Sequence, residues 1–133
     1  MATTITSGVK YSGIWTLTQV NAAISAGTWA GIEPALFSWG ENTTGQLGLG
    51  NTTDYSSPKQ VGALTTWSLP VSGGNISSCL KTDGTLWVWG RNHVGQLGLG
   101  DVTNRSSPTQ VGALTGWLVL GAGSYSMTAI KRT

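Results

Sequence analysis

From residue 34 onward the apolar positions fall in short clusters, each closed by Gly, Asn, Asp or Ser. That spacing predicts brief strands joined by turns. "ALFSWG" (35–40) and "TLWVWG" (85–90) are the clearest strands, rich in aromatics and ended by Gly. "PKQVGAL" (58–64) and "PTQVGAL" (108–114) come next, and each Pro suits a strand's first position. "WSLPVSG" (67–73) and "WLVLGAG" (117–123) come third, and "SSCLK" (77–81) and "MTAIK" (127–131) fourth. Asp83-Gly84 then links the fourth strand to the following Trp-rich one. Asp-Gly between two strand-like runs is a strong hairpin signal.

Residues 1–33 are patterned differently. Thr16 and Gln19 have capping-box spacing, Leu17, Val20 and Ile24 share one helical face, and Gly27 can close the helix. So short a helix is marginal alone in water and must dock. Trp15 and Trp29 flank it as anchors. The segment reads either as a helix packed on its own domain or as an attachment device for a larger structure. Residues 34–133 form a separate β module.

Within that module the sequence repeats. Residues 36–83 and 86–133 align without a gap, and 23 of 48 positions are identical. A period of 50 residues holding four strands is that of a propeller blade. The most alike stretches are "SWGENTTGQLGLGNTTDYSSP" and "VWGRNHVGQLGLGDVTNRSSP". Their shared "GQLGLG" is too Gly-rich for a strand and lacks the Lys-Ser/Thr of a phosphate loop. Its glycines supply left-handed backbone and close approach, while its leucines plug neighbouring apolar space. The expected core of the first repeat is Trp39, Gly40, Gly45, Leu47, Leu49 and Trp67. Trp89, Gly90, Gly95, Leu97, Leu99 and Trp117 are their equivalents in the second.

These strings resemble the repeats of the regulator of chromosome condensation family. The resemblance covers residues 36–133 and rests on the Trp-Gly, Asn, Gly-Gln-Leu-Gly-Leu-Gly and Pro-x-x-Val sequence, present twice. It implies an all-β propeller with four-stranded antiparallel blades. Two departures stand out. The family's usual His in the fourth-strand segment is replaced by Ile76 and Ser126, and family members carry many more repeats per chain. The exchange and chromatin roles of the founding member depend on parts absent here and are not carried over. A second resemblance lies in "SGIWTLTQVNAAISAGTW", which looks like the opening of tailed-phage structural proteins. Gly13, Ile14, Trp15, Thr16, Leu17, Gly27, Thr28 and Trp29 carry it, and it implies a virion component.

Composition narrows the chemistry. Only 9% of residues are charged, the net charge is +2, and the basic residues are scattered, so no nucleic-acid surface is expected. No apolar run reaches the roughly 20 residues of a membrane helix. No basic-then-apolar leader opens the chain, so the four Asn-x-Ser/Thr sites at Asn42, Asn51, Asn75 and Asn104 read as turn chemistry. The single Cys, Cys79, aligns with Ala129 and reads as a small buried side chain. Asp54 aligns with Asn104, and Asn51 with Asp101. Such exchanges suit turns and not a catalytic carboxylate pair. His93 stands alone and aligns with Thr43, leaving no metal set and no nucleophile partner. One carboxylate per loop is a poor Ca²⁺ site. No cofactor and no enzymatic activity are expected.

Three functional readings remain. The leading one is a bacteriophage virion structural protein, either a fibre or receptor-binding tip or a capsid decoration, made in the host cytoplasm. Residues 1–33, through Trp15, Leu17, Val20, Ile24 and Trp29, would bind other virion proteins, and a tip would meet a host surface receptor. The others are a cytoplasmic protein-interaction module and a glycan-binding, lectin-like propeller. The repeat frame begins with half a blade and ends with the complementary half. Two blades do not close a propeller, which needs about four to eight. Leu36, Phe37 and Trp39 of one chain are therefore expected to meet Met127, Ala129 and Ile130 of another, closing a ring. A homotrimer of six blades is favoured, with a tetramer of eight as runner-up.

Overall fold

A computed structural model describes residues 34–64 and 66–133, and every regular element among them is a β-strand. The strands are β1 (Phe37–Gly40), β2 (Tyr55–Gln60), β3 (Trp67–Gly73), β4 (Ile76–Lys81), β5 (Leu86–Gly90), β6 (Arg105–Gln110), β7 (Trp117–Ala122) and β8 (Met127–Lys131). They form an antiparallel four-stranded sheet, β3-β4-β5-β6, between two antiparallel pairs, β1-β2 and β7-β8. The helix expected near residues 16–27, with Trp15, Leu17, Val20, Ile24 and Trp29, lies outside the described residues.

The hairpin between β4 and β5 turns at Asp83-Gly84. Lys81 N donates to the Thr85 carbonyl at 3.0 Å and Gly84 N to the Lys81 carbonyl at 2.9 Å. Asp83 Oδ1 accepts from the Thr85 hydroxyl at 2.6 Å and the Thr85 N–H at 2.9 Å. These two bonds, the hydroxyl first, hold its carboxyl below the usual carboxylate range.

The strands after the long loops start earlier than the sequence suggests. β2 and β6 begin at Tyr55 and Arg105, so Pro58 and Pro108 are their fourth residues instead of their first. The pairing explains the difference. Between Gly40↔Tyr55 and Ser38↔Lys59 the register shifts, and the same happens between Gly90↔Arg105 and Val88↔Thr109. Each Pro falls within that irregular stretch, where no ladder N–H is required of it. The strands also end earlier, since Val61 and Val111 donate a last bond to Leu36 and Leu86 and "GAL" then leaves the sheet.

The middle sheet is apolar on both faces, as a blade packed between two neighbours must be. Ile76, Leu80, Leu86 and Val88 face one way, joined by Leu97 and by Leu120 of β7. Cys79 and Trp89 face the other, with Trp67, and Leu36 of the first repeat packs on them. All of β4 is buried. Lys81 is tolerated there because its ammonium lies 3.6 Å from the Trp87 ring centroid and 5.0 Å from that of Trp67.

The outer pairs lack this cover. Trp89 is 3% exposed, but its repeat equivalent Trp39, expected in the core, is 59% exposed. Leu49, Leu99 and Trp117 are only partly buried, whereas Leu47, Trp67 and Leu97 are buried. The cause is strand pairing. Among the described residues, β5 has β4 on one side and β6 on the other, whereas β1 pairs with β2 alone.

Trp89→Ala is therefore expected to lower stability by about 3–5 kcal/mol, as other large core truncations do. His93→Ala, on an exposed loop, should change it by less than about 0.5 kcal/mol. Denaturant unfolding of both variants beside the parent checks the pair.

Candidate functional site

Each long loop is organised around one buried Asn. Asn42 Oδ1 accepts the Leu47 N–H at 2.9 Å, and its Nδ2 donates to the Asn51 carbonyl at 2.9 Å and to Asn51 Oδ1 at 3.1 Å. Asn42 N donates to Asp54 Oδ1 at 2.7 Å. The second repeat reproduces the set. Asn92 Oδ1 accepts Leu97 N at 2.9 Å, its Nδ2 bonds the Asp101 carbonyl and Oδ1 at 2.9 and 3.1 Å, and Asn92 N donates to Asn104 Oδ1 at 2.8 Å. The Asp/Asn exchanges are accommodated because the bonds that tie positions 51/101 and 54/104 to the buried Asn use only an accepting Oδ1. The other side-chain atom finds its own partner, Asn51 Nδ2 donating to the Tyr55 hydroxyl at 3.1 Å and Asp101 Oδ2 accepting from Arg105 at 2.6 Å. Asp101 is further bonded by Thr103 N and Arg105, which hold its carboxyl below the ordinary range. Asn42 and Asn92 were visible in the sequence only as part of the repeated string. Their identity two positions after Trp-Gly in both repeats was the available signal.

The first loop serves as a socket for the next blade. The Gln46 carbonyl accepts the Trp89 indole N–H at 2.9 Å and the Ser77 hydroxyl at 2.7 Å. A Cβ on Gly48 would lie 2.8 Å from Trp89 Nε1, so only Gly lets the indole lie on this backbone, which also has φ +71°. Gly50 N donates to the Ser106 carbonyl of β6 at 2.8 Å.

The second loop has the same bonding pattern and, among the described residues, no such occupant. Among the described residues, a Cβ on Gly98 would meet nothing within 4 Å. Beside it lies an open groove of about 380 Å³, lined by Val88, Gln96, Leu97, Gly98 and Met127 among others. Gly40 also faces open space and a Cβ on Gly95 would meet only the Asp101 carbonyl oxygen at 3.9 Å, although their equivalents Gly90 and Gly45 are tightly packed. Phe37 and Ile130 are 50% and 60% exposed, Ala129 is exposed, and Leu36 and Met127 are half-buried. Among the described residues two sheet edges thus stand apart without a further strand, β1 with Leu36, Phe37 and Trp39, and β8 with Met127, Ala129 and Ile130. The chain does not bring them together.

Among the described residues, no three His, Cys, Asp or Glu side chains converge to hold a metal. His93 stacks edge-on against Tyr125, with centroids 5.9 Å apart.

Four antiparallel strands per unit, a Trp-bearing strand docked on the preceding loop and a 50-residue period define a propeller-repeat protein. The regulator of chromosome condensation (RCC1) repeat is matched at residues 35–80 and 83–130, and the chain belongs to that family. Human WBSCR16 is similar with a TM-score of 0.59 and 22% identity, over 74% of this chain and 27% of that one. Prp20p from Saccharomyces cerevisiae, studied for its binding to Gsp1p and histones, is similar with a TM-score of 0.54 and 25% identity, over 62% and 21%. Yeast RCC1 (Prp20) bound to Kap60 gives 0.52 and 21% identity, over 85% and 28%. The chain thus spans about a quarter of the length of these structures. No curated protein sequence matches it significantly.

Cys79 is fully buried and its thiol is pushed up chiefly by desolvation. The thiolate is the reactive form, so Cys79 is expected to resist a thiol reagent at pH 8 in the folded protein and to react fully in denaturant. Absorbance of the released chromophore measures both rates, and fast labelling of folded protein contradicts the packing described.

Proposed function

We propose that this chain is a non-enzymatic structural protein of a bacteriophage virion, whose propeller blades are shared between copies of itself. One observation carries the self-assembly. The Trp at one repeat position is 3% exposed as Trp89, in the four-stranded sheet, and 59% exposed as Trp39, whose strand has one partner among the described residues. An exposed Trp beside an unpaired sheet edge favours association. The virion setting is supported by the phage-like opening at residues 13–29, which the proposal assigns to attachment. The particle-bound role is a surface fibre, receptor-binding tip or capsid decoration.

Each copy supplies two blades' worth of strands, so three copies make six blades and four make eight, both within the usual range of about four to eight. The trimer is preferred because threefold sites occur in viral fibres and on capsids. The contact joins two different surfaces, and such contacts close into rings when the rotation permits.

Light scattering on the purified chain should give about three times 13.8 kDa. A monomer at micromolar concentration would sink the self-assembly. Deleting residues 1–33 should leave the assembled β module folded, as read by circular dichroism, and keep it out of particles. Particles that still carry the truncated protein contradict the attachment role.

A further inference from the structure

We infer how two copies join: β8 of one copy pairs with β1 of the next in the register of β4 on β5, and the second copy's Trp39 fills the groove beside Gly98. The inference rests on the self-assembly proposed above and specifies its chemistry.

The chain contains its own template for this joint. β4 and β5 pair with Ser77 opposite Trp89, Ser78 opposite Val88 and Cys79 opposite Trp87. The offset of 50 residues carries these pairs to Met127 opposite Trp39, Thr128 opposite Ser38 and Ala129 opposite Phe37. β8 is the repeat equivalent of β4, and β1 of β5. Each offers an edge that no strand among the described residues takes. The two open edges of one molecule therefore complement each other, and a second copy supplies both.

The socket follows the same offset. Trp89 lies on Gly48 and donates to the Gln46 carbonyl at 2.9 Å. The matching positions, Gly98 and Gln96, line the open groove of about 380 Å³ together with Met127 of β8. That groove holds the loop and the strand edge that an incoming Trp39 needs. Its indole N–H would bond the Gln96 carbonyl of the first copy. Lys131 repeats Lys81, whose ammonium sits over Trp87. At the joint it would sit over Phe37 of the second copy.

Cross-strand neighbours have Cα atoms about 4.5–5.5 Å apart, within disulfide range, while diagonal neighbours lie beyond it. The test uses the full chain with Cys79→Ala and two new thiols, Ser38→Cys and Thr128→Cys, oxidised and run without reductant. Covalent dimers and trimers, with the ladder ending at the trimer, are expected. The control Ser38→Cys with Ile130→Cys, two residues out of register, should stay uncrosslinked. Trp39→Ala in the parent chain should weaken association by roughly a hundredfold, as loss of a buried aromatic anchor does. An assembly of about three times 13.8 kDa that crosslinks only in the control pair, or in neither, overturns this joint and leaves self-assembly standing. A chain that stays monomeric overturns both.

Discussion

The bond from the Trp89 indole to the Gln46 carbonyl is the contact on which the arrangement of blades depends. A propeller blade is a small sheet with two apolar faces, and neither can be left wet. Trp89 covers one face by reaching across to the loop of the preceding repeat. The same carbonyl takes the Ser77 hydroxyl, so β4 and β5 are both anchored to one acceptor. A buried carbonyl with two donors is well satisfied, and its position is fixed from both sides. The loop thereby sets the position of the following sheet, and the packing around Leu97 and Leu120 follows on the sheet's other face.

That socket must itself be rigid, and the loop has no strand ladder to make it so. Asn42 supplies the missing order. It is fully buried and satisfies a backbone N–H, a backbone carbonyl and a side-chain oxygen in one turn. Asn92 does the same in the second repeat, where among the described residues no Trp rests on its loop. The socket is therefore built before anything occupies it. A preformed surface pays little ordering entropy when a partner arrives, which favours association.

Strand content was legible because periodicity and punctuation agreed. Trp67–Gly73 and Met127–Lys131 have the bounds that the apolar runs suggest, and Asp83-Gly84 makes the hairpin its dipeptide announces. Pro58 and Pro108 were misleading because Pro is tolerated at a bulge as well as at a strand's start, and single-sequence pattern does not separate the two. Trp39 shows a deeper limit. Repeat identity assigns it the role of Trp89, but burial belongs to a position in an assembly, and among the described residues β1 has only one neighbouring strand. The Asn hub was hidden for another reason. Asn in a Gly-rich loop ordinarily signals a turn, and only the folded loop reveals that its amide closes three bonds at once.

The differences between the two repeats are as informative as the identities. Along the fourth strand, Ser77 of the first repeat becomes Met127 and Cys79 becomes Ala129, while Leu80 becomes Ile130. β4 sits in a joint that the chain itself holds together, so a hydroxyl there can serve geometry by donating to Gln46. A joint between two molecules carries a further cost, since it must offset the translational and rotational freedom lost on association. Replacing Ser by Met removes one directional bond and adds apolar surface at the position that would face Trp39 in the proposed joint. That exchange weakens alignment slightly and strengthens the driving force. It is the direction expected where the covalent link is absent and the surrounding loop already fixes the register. A flexible thioether would also adapt to the indole of a second copy. If the proposed joint forms, β8 differs from β4 in the direction that trades internal packing for capture.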